Sequence, residues 1–222
     1  MSEKRYRTIV ADPPWKVMRG RVLGSALFND PDSYRGAPSR PLPYPTMTVE
    51  QIAELPVADF AEPEAHLYIW TINAYLEQTY SIARAWGFKP STLITWAKTP
   101  IGGGMGGAWG LSTEHVLFCR RGVLNATGRV TGTWFRWPRG EHSAKPDAFQ
   151  DLVERVSPGP YLELFARRQR LGWDTWGNEA LEHVDLTAPP PEPEPVIHPG
   201  QITIDEAIRL ATPPAVQLAF DV

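Results

Sequence analysis

Five short runs of this chain are apolar at nearly every position rather than at every second one: Tyr6 to Ala11, His66 to Thr71, Thr92 to Ala97, His115 to Arg120 and Tyr161 to Ala166. A strand that is apolar throughout must be covered on both faces, which favours a parallel or mixed sheet with helices packed on each side. A weaker run lies near Trp134. Helical signals fall between these runs. Thr48-Val49-Glu50-Gln51 reads as a capping box opening Val49 to Leu55. Ala74 to Trp86 sets Leu76, Tyr80, Ala83 and Trp86 near one face. A third helix begins with Pro146 and Asp147 in its first turn, runs through Phe149, Leu152 and Val153, and stops before Pro158-Gly159-Pro160. The alternation predicts an α/β fold.

With 222 residues and 42% hydrophobic content, the chain can bury one good core. Cys119 is its only cysteine, so no disulfide framework and no cysteine-based zinc site can form within one chain; no metal site is expected. Its setting, His115-Val116-Leu117-Phe118-Cys119, reads as that of a small buried hydrophobe. No apolar run approaches the ~20 residues of a membrane span, and Met1-Ser2-Glu3-Lys4-Arg5 leads straight into a strand, so a cytoplasmic protein with no membrane partner is expected. The net charge of −3 is unevenly placed: from residue 181 onward seven carboxylates face Arg209 alone, which leaves the rest of the chain mildly basic. That balance is compatible with a nucleic-acid partner.

Two stretches lack a regular period. Residues 16 to 45 carry Gly20, Gly24, Gly36 and several prolines, and a loop of this length inside a domain is usually functional. Residues 101 to 107 are rich in glycine but lack the Gly-Lys-Ser/Thr ending of a phosphate loop, and read as a flexible segment near the substrate or as a plain linker. After Asp185 prolines alternate with acids, as in a stiff extended spacer. The expected organisation is a catalytic domain over 1 to 186, a linker over 187 to 200, and a tail over 201 to 222. The apolar end of that tail, Val216 to Phe220, reads as a segment for a protein partner, for self-association, or for folding back onto its own domain.

Asp12-Pro13-Pro14-Trp15 follows the first strand directly, and so falls at a strand's carboxyl end, where open α/β sheets bind ligands. This residue set suits an exocyclic aromatic amine. The nitrogen lone pair of such an amine is delocalised into the ring and attacks poorly until the group is drawn toward tetrahedral geometry. A carboxylate accepting one N–H and a backbone carbonyl accepting the other would draw it so and would stabilise the positive charge that develops. Asp12 and the Pro13 carbonyl are placed for these roles, the two prolines stiffen the turn, and Trp15 offers a flat face for an unpaired base.

Read with the blocks that follow, the chain resembles the DPPW-type adenine methyltransferases, the MT-A70 family, over roughly Tyr6 to Glu179. The blocks, in order, are Tyr44-Pro45-Thr46-Met47-Thr48, Leu67-Tyr68-Ile69-Trp70-Thr71, Trp96-Ala97-Lys98, Thr113-Glu114-His115, His142-Ser143-Ala144-Lys145-Pro146-Asp147, Leu162 to Arg167, and Gly172 to Glu179. The resemblance implies a Rossmann-like methyltransferase sheet in permuted order, with the catalytic loop before the cofactor strand, and S-adenosylmethionine as cofactor. It implies that Asp12, Pro13, Pro14 and Trp15 form the amine pocket, with Tyr44 on the substrate side. It places Lys145 at the methionine carboxylate of the cofactor, Asp12 beside the cofactor as well, Arg167, Gln169 and Arg170 at its sugar and methionine end, and Asn178 and Glu179 at its adenosine. Glu163, on the cofactor strand, would order neighbouring groups. Independently of the resemblance, Lys145 sits just before a helix whose N-terminal amides favour an anion.

Three departures stand out. Only Met1 to Arg7 precede the catalytic strand, so the upstream contact that larger relatives make to the cofactor's adenine must come from elsewhere. The Phe-x-Gly-x-Gly signature of many amino methyltransferases is replaced by Leu164-Phe165-Ala166-Arg167. Gln169 and Arg170 stand where the eukaryotic enzymes have His and Asn.

A base can be modified on its edge only when unpaired or extruded. Arg19, Arg21, Arg35 and Arg40, interleaved with Phe28, Tyr34 and Tyr44, suit a clamp on such a strand. DNA is the expected substrate, because the extensions that equip eukaryotic RNA-modifying relatives are missing. RNA, or service as an inactive nucleic-acid-binding partner subunit, are the alternatives.

Overall fold

The computed structural model describes residues 4–16, 45–100, 110–140 and 144–177. Seven strands form one sheet: β1 (Tyr6–Ala11), β2 (Ala61–Thr71), β3 (Lys89–Thr99), β4 (Thr113–Arg121), β5 (Trp134–Pro138), β6 (Tyr161–Leu164) and β7 (Trp173–Trp176). Their spatial order is β5-β3-β4-β2-β1-β6-β7. β1 pairs in parallel with β2 and β6, β6 with β7, and β3 with β5, while β4 runs antiparallel to both of its neighbours. Every strand except β4 therefore ends at the same edge, and β4 begins there. This mixed α/β sheet fits the Rossmann-like fold that the family resemblance implies, with the early strand β1 beside the late strand β6.

The helices are α1 (Val49–Ala53), α2 (Val57–Phe60), α3 (Leu76–Ala85), preceded by a 3-10 turn at Asn73–Tyr75, and α4 (Asp147–Val156). The capping box at α1 is present: the Gln51 amide donates to Thr48 Oγ1 at 3.2 Å, and the Thr48 amide donates to Gln51 Oε1 at 2.9 Å. One face of the sheet is sealed by an apolar cluster that includes Ile9, Trp15, Ile52, Ile69, Ile82 and Trp86, and the Trp86 indole donates to the Ile52 carbonyl at 3.1 Å, tying α3 to α1. The opposite face packs Val10, Tyr68, Trp70, Trp96 and Val116 against Phe149 and Val153 of α4.

The structure departs from the sequence reading mainly at element ends. β2 and β3 run further toward their amino ends than the apolar runs do, through Glu62-Pro63-Glu64 and Lys89-Pro90, where side chains are partly exposed and the apolar signal fades. β7 and α2, four residues each, are too short to show a period. Cys119 is fully buried and burial pushes its thiol up to about 12, so it is inert core. No described helix is long and apolar enough to cross a membrane. Among the described residues no cluster of His, Cys, Asp and Glu could hold a metal ion. The long loop, the Gly-rich segment, the proline-rich spacer and the tail lie outside the described residues.

Candidate active site

Asp12 leaves the carboxyl end of β1 with its amide donating to the Leu164 carbonyl at 3.3 Å, so the loop from Asp12 to Trp15 is pinned to the last residue of β6. Its carboxylate is 2.9 Å from Lys145 Nζ. Lys145 directly precedes the N-cap of α4, lies 3.4 Å from Glu114 Oε2, and sits over the Trp70 ring at 5.3 Å from the ring centre. Glu114, second residue of β4, is in turn paired with Lys98, whose ammonium lies 5.0 Å from the centre of the Trp96 ring. Asp12, Lys145, Glu114 and Lys98 thus form a chain of alternating charge along the carboxyl edge of the sheet.

Burial governs the protonation of these groups. It pushes the Asp12 carboxyl above the usual carboxylate range, and the neighbouring Lys145 ammonium offsets this only in part. The Lys145 amine also loses water, which alone would lower it, but Asp12 and Glu114 outweigh that loss and hold it above the usual lysine range. For Glu114 burial is likewise outweighed, by Lys145 and then Lys98, and its carboxyl stays below its ordinary value.

Beneath this chain opens a cavity of about 540 Å³, within the range of small-molecule sites. Val10, Trp70, Phe149 and Phe165 supply apolar wall, and Asp12, Lys145, Glu163 and Arg167 supply charge. Glu163 stands opposite Val10 in the β1–β6 register and accepts from Gln150 Nε2 of α4 at 2.6 Å. Its carboxyl is pushed up to about 7, by burial first and by the charge of Asp12 second.

The turn after β6 explains how the chain manages without the glycine signature. Phe165 has φ 63°, a left-handed conformation that costs a non-glycine residue roughly 1–2 kcal/mol. Its ring meets Trp176 edge-on at 5.2 Å. A glycine is required instead across the gap: a Cβ on Gly177 would lie 2.3 Å from the Ala166 carbonyl oxygen, so the end of β7 passes directly against this turn.

The residues singled out in the sequence fall into three groups. Asp12, Lys145, Arg167 and Gln169 come together around the cavity. Pro13, Pro14, Trp15 and Arg170 are tied to the protein itself. The Pro13 carbonyl accepts the Trp15 amide at 2.8 Å, leaving its second lone pair for a ligand, and the Pro14 carbonyl accepts the Met47 amide at 3.0 Å. Trp15 was expected to offer a face to a base; the residue is 6% exposed, and its ring lies stacked on Tyr75 at 4.9 Å and donates to the Trp70 carbonyl at 3.2 Å. Arg170 lines the cavity, but its guanidinium pairs with Asp151 at 2.6 Å and with Glu154 at 2.8 Å. Tyr44, Arg19, Arg21, Arg35, Arg40, Asn178 and Glu179 form the third group and lie outside the described residues. Glu114 and Lys98 carried no assigned role in the sequence; their only signal was membership in the blocks around the start of β4 and the end of β3.

The sequence pattern of the MT-A70 family matches residues 6–179, a span holding every charged group of this edge. The chain belongs to the MT-A70 family. Among its relatives, the type II methyltransferase M.MunI of Mycoplasma sp. is 29% identical over 189 residues, which cover 81% of this chain and 79% of that protein. The N6-methyladenosine RNA methyltransferase MTA1 of Cryphonectria parasitica is 27% identical over 80% of this chain and 52% of its own length. The human N(6)-adenosine-methyltransferase catalytic subunit METTL3 is 26% identical over 83% of this chain and 30% of its own length. The chain therefore matches most of the length of the first of these relatives, about half of the second and under a third of the third.

Proposed function

We propose that this chain is an S-adenosylmethionine-dependent methyltransferase that methylates the exocyclic amine of adenine in DNA. The observation that carries the reading is Asp12, held at the mouth of a 540 Å³ cavity with Lys145 2.9 Å away. The cavity suits the cofactor's chemistry. Lys145, at the start of the ten-residue helix α4, matches a carboxylate. Asp12 and Glu163 match cationic groups, and the aromatic and aliphatic walls match a nucleoside. Lys145, Arg167 and Gln169 would hold the cofactor, with Asn178 and Glu179 reaching its adenosine; when bound it supplies an electrophilic methyl group.

The protein's own part is electrostatic. Asp12 accepts one N–H of the amine and the spare lone pair of the Pro13 carbonyl accepts the other, which draws the nitrogen toward tetrahedral geometry and offsets the charge it gains. Burial strengthens that interaction, and Lys145 offsets in part the rise that burial imposes on the Asp12 carboxyl. Pro13, Pro14 and the buried Trp15 fix the loop, and Tyr44 with Arg19, Arg21 and Arg35 would grip the strand. DNA is preferred over RNA because the chain matches 79% of the length of the type II methyltransferase.

The test is incubation with labelled S-adenosylmethionine and a panel of single- and double-stranded DNA and RNA, followed by nucleoside analysis. N6-methyldeoxyadenosine is the expected product. Label on RNA alone would replace DNA by RNA, and label on free nucleosides or on cytosine would overturn the reading. Asp12→Ala should reduce turnover roughly 1,000-fold with cofactor affinity changed only a few-fold; retention of a tenth of wild-type turnover would remove Asp12 from its role.

A further inference from the structure

β5 is the outermost strand on its side of the sheet. Its residues alternate: Phe135 and Trp137 stack on each other at 4.8 Å, with Trp137 packed on the α4-side core, while Trp134, Arg136 and Pro138 are exposed. Trp134 is 61% exposed, whereas Trp15, Trp70, Trp86, Trp96 and Trp173 are all buried. It is the one aromatic residue among the large exposed hydrophobics of the described residues. A single exposed hydrophobic residue is ordinary. The charge around this one is not: from His115 to Gly140 the chain carries five arginines and no carboxylate, although its net charge is −3.

Two of those five spend donors on the fold, Arg120 on the Leu124 carbonyl and Arg121 on the Ala58 carbonyl. The side chains of Arg129 and Arg136 make no hydrogen bond or ion pair among the described residues, in contrast to those of Arg168 and Arg170, which are paired with acids of the α4 segment. Trp134 and Arg136 are two residues apart on one strand face, about 6.6 Å, a spacing comparable with one nucleotide of an extended single strand. In register, Trp134 lies opposite Thr95 and Pro138 opposite Thr99, so the row runs about 13 Å along the sheet face opposite the cavity, toward the edge where β3 and β1 both end and Asp12 stands.

We propose that the exposed face of β5 is a track for the single-stranded flank of the target base, with Trp134 stacking one unpaired base and Arg136 meeting a backbone phosphate. An aromatic face combined with unpaired cations is the combination that binds single strands without reading their sequence. The proposal rests on the reading that nucleic acid is the substrate, and it names a part of that substrate which the cavity does not hold.

The experiment compares wild type, Trp134→Ala, Trp134→Phe and Arg136→Ala in the full chain, using fluorescence anisotropy of a labelled 20-nucleotide single-stranded DNA and methyl transfer to the same oligonucleotide and to a trinucleotide. Trp134→Ala should weaken 20-mer binding about tenfold, with Trp134→Phe recovering much of the loss. Arg136→Ala should reduce the slope of log K against log salt by about 0.7. Both alanine variants should shrink the advantage of the 20-mer over the trinucleotide, with cofactor affinity and melting temperature within error of wild type. Binding within twofold of wild type in both variants overturns the proposal while leaving the methyltransferase reading intact. So does a fall in oligomeric mass on substitution, which would make β5 a self-association edge. If wild type methylates no nucleic acid at all, both readings fall.

Discussion

Asp12 and Trp15 are three residues apart in one loop, yet they serve opposite faces of the sheet. Asp12 looks into the α4-side cavity among charges, and Trp15 closes the α1–α3 side among apolar groups. Trp70 joins the two regions, its carbonyl accepting from the Trp15 indole and its ring lying beneath Lys145. The comparison teaches that the four-residue motif is a brace as much as a reagent. Its first residue faces the cavity, where the proposed chemistry lies, and its last anchors the loop so that the first is held in place.

After the loss of Asp12 itself, the sharpest test of the charged side is Lys145→Ala. Glu114 would keep Lys98, but Asp12 would lose the ammonium 2.9 Å away. A loss of roughly 100-fold in kcat/KM is expected, the order that an uncompensated buried charge implies. The sign of the pH effect follows from the same contact. Lys145 lowers the Asp12 pKa against burial, so its removal raises that pKa further, and the acid limb of the kcat/KM profile should move to higher pH. An unmoved limb with only weakened cofactor binding would mean that Lys145 serves the ligand and not Asp12.

Trp15→Ala addresses the apolar side. Removing an indole that is 6% exposed and stacked on Tyr75 should cost about 3–5 kcal/mol of stability, read by denaturant unfolding. If Trp15 were instead a platform for a base, stability would be nearly unchanged and the nucleic-acid KM would carry the effect. That result would break the division between the two faces.

The frame of this division was legible in sequence. Apolar runs marked five strands, Thr48 and Gln51 marked a cap, and Asp12 fell where a strand ends. The site was legible only in part, for physical reasons. Glu114 lies in an apolar strand whose antiparallel direction, which no local pattern encodes, brings its first residues to the Asp12 edge. Trp15 and Arg170 have side chains suited to ligands, and only tertiary packing shows that Tyr75 and two acids of α4 already engage them. The missing glycine signature was visible, but not that Phe165 would adopt the left-handed φ in its place.

Glu163→Gln probes the floor of the cavity through pH. The folded carboxyl is pushed up to about 7 from an ordinary 4.5, so between those values the native state binds the proton more tightly and stability falls as pH rises. Replacing the carboxyl with an amide removes that fall. The variant should gain about 3 kcal/mol relative to wild type at pH 8 compared with its relative stability at pH 4, by the usual conversion of about 1.4 kcal/mol per unit. A stability difference that does not change between those pH values would place Glu163 in water and outside the charged side of the comparison.

The smallest effect is expected at Arg170, and it separates a residue that lines the cavity from one that works in it. Its guanidinium donates to Asp151 Oδ1 at 2.6 Å and to both carboxylate oxygens of Glu154 at 2.8 and 2.9 Å, so the planar fork is committed to α4. Glu154 also accepts from the Trp173 indole at 2.7 Å, and so keeps a donor when Arg170 is removed. These partners lie at the surface, the Asp151 side chain being 66% exposed, and such pairs contribute about 0–1 kcal/mol. Arg170→Ala should therefore lower stability by no more than that and leave S-adenosylhomocysteine affinity, measured by calorimetry, within twofold. A tenfold loss of affinity with unchanged stability would show that the guanidinium leaves Glu154 for the ligand, moving Arg170 from the frame of the cavity to its working face.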